Sequence, residues 1–146
     1  MGDLSENFSR HEFMCRDKAG NPCPHCGGIV KADESLLIGL ERLRKVLGNR
    51  VITVNCGHRC TLCNIDAGGS EQSQHLVGKA ADIVVAGFTP EEVAFIASRE
   101  VNVFTQGGIG VYDWGVHVDS RRGRARFGKD FMQTDDEELY RKIKRE

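Results

Sequence analysis

His75 and Asp82 stand seven residues apart in the segment Ser73-Gln74-His75-Leu76-Val77-Gly78-Lys79-Ala80-Ala81-Asp82. Gly78 and the two alanines let the backbone turn between the two polar groups. Further along, Val116-His117-Val118-Asp119 alternates apolar and polar residues. A strand there presents His117 and Asp119 on one face and the valines on the other. Asp82 opens a β-branched run in which Ala81, Ile83 and Val85 should face the core, so Asp82 points the opposite way. If buried, its carboxylate needs a partner, because an unpaired buried charge is costly. Should the two segments pair, His75, Asp82 and His117 converge. Two imidazoles and one carboxylate leave a fourth position open, the donor set of a catalytic zinc rather than a structural one. Such a zinc lowers the pKa of its water to about 7 and polarises a carbonyl. Spacing alone equally allows the two histidines to be unrelated surface or core residues.

The six cysteines are clustered rather than spread. Cys23-Pro24-His25-Cys26 and Cys60-Thr61-Leu62-Cys63 are both C-x-x-C pairs, with Cys15 and Cys56 nearby. Met1 to Arg10 holds no apolar signal-peptide core, so the chain is expected in the cytosol as synthesised. In a reducing compartment such a pattern favours metal ligation or redox chemistry over a disulfide framework. The two pairs predict a second, structural zinc held by Cys23, Cys26, Cys60 and Cys63, pinning the amino-terminal segment to the loop that bears Arg59. Free buried thiols or an opportunistic disulfide are the alternatives. Cys56 is expected to be a small buried residue behind a strand.

These side chains need a frame. A chain of 146 residues with 40% apolar content supports one domain, residues 1–146. A net charge of −1 provides no global basic field for nucleic acid or an anionic membrane. The local run Arg121, Arg122, Arg124, Arg126 and Lys129 reads as a solvated surface. No segment has the apolar length of a membrane span. Residues 1–32 read as irregular. Asp33 reads as the N-cap of a helix carrying Leu36, Leu37, Leu40, Leu43 and Leu47 on one face, stopped at Gly48. Val51–Val54 and Ala80–Val85 read as strands, separated by a long polar loop over 56–74. Thr89-Pro90-Glu91-Glu92 is a capping box with proline at the first helical position, opening a helix to about Glu100. Gly107–Tyr112 and Gly115–Asp119 read as two more strands, and Asp135–Lys144 as a final helix. Without a regular βαβ rhythm, the expected class is α+β, a small mostly antiparallel sheet with helices packed on one side.

The run Ser73 to Asp82 resembles the S-x-H-x-x-G-x-A-x-D motif of the zinc D-Ala-D-Ala carboxypeptidase family. Asn7-Phe8-Ser9-Arg10-His11-Glu12-Phe13 is similar to the lead-in of its small cell-wall and phage members. Gly57-His58-Arg59-Cys60 resembles a loop that reads Gly-Tyr-Arg-Cys in relatives. Gly108-Ile109-Gly110-Val111-Tyr112 with Val116-His117-Val118-Asp119 resembles the closing motif, so the likeness spans about residues 7–131. It implies a hedgehog/DD-peptidase-like fold and a zinc peptidase acting on peptidoglycan peptides, as a carboxypeptidase or an endolysin-type endopeptidase. It implies His75, Asp82 and His117 as zinc ligands and Arg59 as a binder of substrate and of the developing oxyanion, a role suited to a fixed cation. Ser73 is a candidate substrate contact or simply a loop-ending serine. Where several relatives place an acid three positions before the last histidine, this chain has Trp114. Asp113 and Asp119 are the remaining candidates for the general base, Asp113 the preferred one; Asp119 would otherwise orient a ligand. A lone tryptophan such as Trp114 is more often packing than cleft. Relatives often carry a cysteine cluster near Cys15, which could replace one of the four thiolates. A monomer acting on the wall after release, as a phage lysin does, fits the missing signal sequence. Two other readings are a non-enzymatic zinc-containing binding module, as in related hedgehog domains, and a zinc-ribbon-like nucleic-acid module built on the cysteines. The latter leaves His75, Asp82 and His117 unexplained.

Overall fold

The computed structural model describes residues 2–144. Helix α1 (Glu34–Val46) starts after an extended Asp33 and ends where Gly48 takes φ +77°, a left-handed conformation that glycine adopts without cost. Its leucine face is buried as the spacing predicts. Asp33 does not cap the helix with its side chain; its carboxylate accepts a hydrogen bond from Ser120 Oγ at 2.9 Å. Strand β1 (Ile52–Cys56) follows, and Cys56 is its half-buried last residue. The expected loop over 56–74 contains a short helix, α2 (Thr61–Asp66), and a 3-10 turn, Gln74–Val77. Strand β2 (Ala80–Val85) leads to α3 (Pro90–Glu100), whose capping box is formed: Thr89 Oγ1 accepts from Glu92 N–H at 3.1 Å, and Glu92 accepts from Thr89 N–H at 2.9 Å. A four-residue helix, α4 (Asn102–Thr105), precedes β3 (Gly108–Tyr112), β4 (Gly115–Asp119), β5 (Ala125–Gly128) and α5 (Asp136–Lys144).

The strands form one sheet in the order β1-β2-β4-β3-β5, antiparallel except for β3 with β5. The chain is thus α+β, as expected. Ala81, Ile83, Val85, Ile109, Val111, Val116 and Val118 lie in one core cluster with the leucines of α1 and with Val93, Ile96 and Phe104. Strand alternation sends Asp82, His117, Asp119, Gly108, Gly110 and Tyr112 to the other face. That face carries the chemistry.

Strand β5 and α4 escape sequence reading. Ala125-Arg126-Phe127-Gly128 is too short, and too closely bounded by charged residues and Gly128, to stand out as a strand, and it pairs along the edge that β3 offers. The basic run around it is not uniformly solvated. Arg126 donates to the carbonyls of Gly107 (2.8 Å) and Thr105 (3.0 Å), and Arg121 is committed to Asp119.

The amino-terminal segment is tied to α1 by Glu41, which accepts from Ser5 Oγ (2.6 Å), Asn7 N–H (2.7 Å) and Asn7 Nδ2 (2.7 Å). Partial burial alone would raise its pKa, but these bonds bring it below the ordinary 4.5. A depressed carboxylate contributes stability above its unfolded pKa and loses it as pH falls through the folded value. We expect Glu41→Gln to cost about 1–2 kcal/mol near neutral pH. The denaturant midpoints of the two proteins should differ near neutral pH and draw together only as pH falls below about 4.5 and through the lower folded value.

Candidate metal centre

His75 is placed by its own local turn. Ser73 Oγ accepts the His75 N–H at 3.2 Å, and Gly78 at φ +72° closes the turn against the backbone of Lys31, where a Cβ would collide. The His75 carbonyl accepts from Arg59 N–H at 3.1 Å and faces His58 Nδ1 at 3.0 Å, which fastens the 57–59 loop to the turn. The ring of this residue, only 2% exposed, has its Nδ1 at 2.6 Å from the Gly57 carbonyl. A carbonyl only accepts, so Nδ1 carries the hydrogen and Nε2 is turned toward Asp82 Oδ1 at 3.2 Å. Cys56 Sγ lies 3.8 Å from Nδ1, the nitrogen already given to Gly57.

The register of β2 against β4 sets Asp82 directly opposite His117. His117 Nδ1 is 3.1 Å from the same Asp82 Oδ1, and its Nε2 is 2.7 Å from Asp119 Oδ2. The two imidazoles meet edge to face, their centroids 5.1 Å apart. Both rings therefore have one nitrogen engaged from behind and the other aimed at one carboxylate oxygen. Burial alone would lower the His75 pKa, but the hydrogen bonds and charge of Asp82, with help from Cys56, raise it to about 9. Burial alone would raise Asp82, yet the bonds from His117 and His75 hold it well below the usual carboxylate range.

Asp119 is wholly buried. Besides His117 it accepts from Gly108 N–H (2.9 Å), Arg121 N–H (3.1 Å), Arg121 Nε (2.8 Å) and Arg121 Nη2 (2.7 Å). These donors overcome the effect of burial and keep its pKa well below the ordinary value. Gly108 is required at this spot, since any Cβ would strike the Asp119 carboxylate. Arg121 also lies 5.6 Å over the ring of Phe127, which packs 5.2 Å from His117.

A cleft of about 540 Å³ opens over these groups, lined also by Arg59, Ser73, Gln74, Tyr112, Trp114 and Phe127. Arg59 Nε is buried without a hydrogen-bond partner among the described residues. Tyr112 and Trp114 stack at 5.2 Å with planes 6° apart, and Trp114 is 48% exposed, so it belongs to the cleft wall rather than to the core. Burial and the charge of Asp82 raise the Tyr112 pKa, which keeps its hydroxyl a donor.

The structure thus brings His75, Asp82, His117, Arg59 and Ser73 together, with Asp119 behind His117. It does not bring Asp113. That residue sits in the β3–β4 turn, fully exposed and paired with Lys129, outside the residues that line the cleft. The preference for it as general base therefore has no geometric support. Asp119 has its oxygens filled by five donors and holds a ring rather than facing the cleft. Tyr112 and Phe127 are cleft residues that sequence reasoning passed over. The alternation Gly108-Gly110-Tyr112 places the first on the His117 face; nothing local marks the second.

A sequence profile of the family described as Peptidase M15 matches residues 6–119. Over 44 residues the chain is 43% identical to the zinc D-Ala-D-Ala carboxypeptidase of Streptomyces albus G, a stretch covering 30% of this chain and 17% of that protein. The chain thus matches only about a sixth of that relative's length.

Proposed function

The chain belongs to the peptidase M15 family, and on that footing we propose that it is a zinc-dependent peptidase acting on the peptides of bacterial cell-wall peptidoglycan. His75 through Nε2, Asp82 through its carboxylate and His117 through Nδ1 are the residues that would hold the metal. The observation that carries this assignment is the convergence of the two ring nitrogens not engaged by Gly57 or Asp119 on one Asp82 oxygen, at 3.2 and 3.1 Å, on the floor of an open cleft. Two nitrogens and a carboxylate are a catalytic zinc's protein donors. Gly57 and Asp119 are the outer partners that fix such rings. Zinc, when bound, supplies a Lewis acid and water of lowered pKa.

The rest is done by the chain. Arg59 brings a permanent cation to the cleft wall, suited to a substrate carboxylate or to an oxyanion. Tyr112 offers a hydroxyl donor beside Asp82. Trp114 and Tyr112 offer an aromatic wall along which a peptide can lie. Ser73 holds the His75 turn and reaches the cleft. Asp119 positions His117 instead of moving protons.

A non-enzymatic zinc-containing binding module is the second reading, and one observation favours it: among the described residues, Asp82 is the only carboxylate lining the cleft. Purified peptidoglycan separates the two. Zinc-loaded protein should release new amino termini, stop after chelation, and resume when zinc is restored. Free D-alanine as product would identify a carboxypeptidase; larger peptides, an endopeptidase. Zinc-dependent retention on peptidoglycan without any cleavage would establish the binding module instead.

A further inference from the structure

Five cysteines gather in a cluster separate from the main core: Cys15, Cys23 and Cys63 buried, with Cys26 and Cys60 packed against them. Among the described residues no helix or strand lies between Phe13 and Glu34; only the isolated bridges Met14–Val30 and Arg16–Pro22 order that stretch. Half of its residues are exposed, and only Cys15 and Cys23 are buried. A segment with so little apolar burial needs another source of order, and a metal cross-link is the usual one in a small domain.

Four of the five sulfurs are built as ligands. Cys15, Cys23, Cys26 and Cys60 all lie within 4.8 Å of one another. Cys23 Sγ and Cys60 Sγ are 3.6 Å apart, close to the edge of about 3.8 Å that a tetrahedron with Zn–S of about 2.3 Å requires. Each of these four accepts a backbone N–H: Cys23 from His25 (3.3 Å), Cys26 from Ile29 (3.5 Å), Cys15 from Cys60 (3.2 Å) and Cys60 from Cys63 (3.5 Å). Such donors stabilise thiolate charge and orient the lone pairs. Cys63 is instead joined to Cys23 as a disulfide. That bond and a Cys23 ligand exclude one another.

We propose that Cys15, Cys23, Cys26 and Cys60 hold a structural zinc ion as four thiolates, distinct from the His75–Asp82–His117 centre. This differs from the set read from the two C-x-x-C pairs, in that Cys15 replaces Cys63. The site fastens residues 14–30 to the start of α2, where Cys60 is the N-cap and Arg59, its neighbour, lines the cleft. It stands on the cysteines alone and does not depend on peptidase activity.

The test begins with a His75→Ala/His117→Ala double variant, purified anaerobically. We expect it to retain one zinc per chain. Adding Cys15→Ser or Cys26→Ser should reduce this to none, while adding Cys63→Ser should leave it unchanged. As a readout that needs no cysteine variant to fold, the wild type is also titrated with cobalt(II), which should give a thiolate-to-cobalt charge-transfer band. Denatured, chelated wild type should then show all six cysteines as reactive thiols. A zinc-free double variant, or wild type without the thiolate band, overturns the site. Four reactive thiols would establish the Cys23–Cys63 disulfide instead. Iron in place of zinc, the other common occupant of four sulfurs, would overturn the metal assignment, and loss of zinc on Cys63→Ser with retention on Cys15→Ser would overturn the ligand set. None of these outcomes bears on whether peptidoglycan is cleaved.

Discussion

Replacing either histidine of the centre, His75→Ala or His117→Ala, is expected to reduce peptidoglycan cleavage to the level of a protein-free control and to remove the zinc that does not belong to the cysteines. Each change deletes one of three donors converging on the cleft floor. Losing only an outer partner of a metal ligand costs about 10–100-fold in affinity or activity, so losing a donor itself must cost more. The fold should survive in both variants. The β2–β4 pairing that brings Asp82 opposite His117 is made by the backbone, and Asp119 keeps its four bonds from Gly108 and Arg121 when His117 is gone. Far-ultraviolet circular dichroism would verify this before metal content and cleavage are read. A folded His117→Ala protein that cleaves at the wild-type rate would remove His117 from the centre.

Asp119→Asn should do damage of a different kind. The substitution keeps the shape but removes the charge to which His117, Arg121 and the Gly108 amide all donate. One side-chain oxygen becomes an NH2 group facing donors. A bond to a charged group is worth about 1.5–3 kcal/mol, and stripping a partner from a fully buried pair costs about 3–5 kcal/mol. Arg121 is 29% exposed and can turn to water, so the expected loss is nearer about 2–3 kcal/mol. Zinc affinity should also fall about 10–100-fold, because His117 loses the partner that fixes its tautomer. Urea denaturation and zinc competition against a chelating dye measure the two effects separately. Loss of stability with unchanged zinc affinity would leave Asp119 a merely structural residue. Asp113→Asn is the matched control: its exposed carboxylate pairs with Lys129 on the surface, and neither quantity should move.

Features of short range were legible before any coordinates. The leucine spacing of α1, the Thr89–Glu92 capping box and the alternation in Ala80–Val85 and Val116–Asp119 follow from helical and strand periods, which the chain carries residue by residue. So did the assignment of Asp82 and His117 to the face opposite the core, and the turn that Gly78 and the two alanines allow between His75 and Asp82; that Gly78 is left-handed came from the structure.

Distance along the chain is where this legibility ended. That Asp82 lies opposite His117, 35 residues on, is a matter of register, which no local period contains. Which imidazole nitrogen is free was settled by Gly57 and Asp119, one reached through a loop and the other through its own strand. Asp113 and Asp119 looked alike as carboxylates near His117. Only the turn that exposes one and the Arg121 fork that fills the other told them apart. Strand β5 formed because an edge was available, not because its own residues ask for a strand. The choice among five cysteines rested on which sulfurs receive backbone N–H groups, and that depends on how residues 15–29 fold back over the start of α2. The amino-acid sequence alone determined the donors and the faces on which they stand; the long-range pairing of strands and loops decided which of them meet, because convergence is a property of packed backbone rather than of spacing.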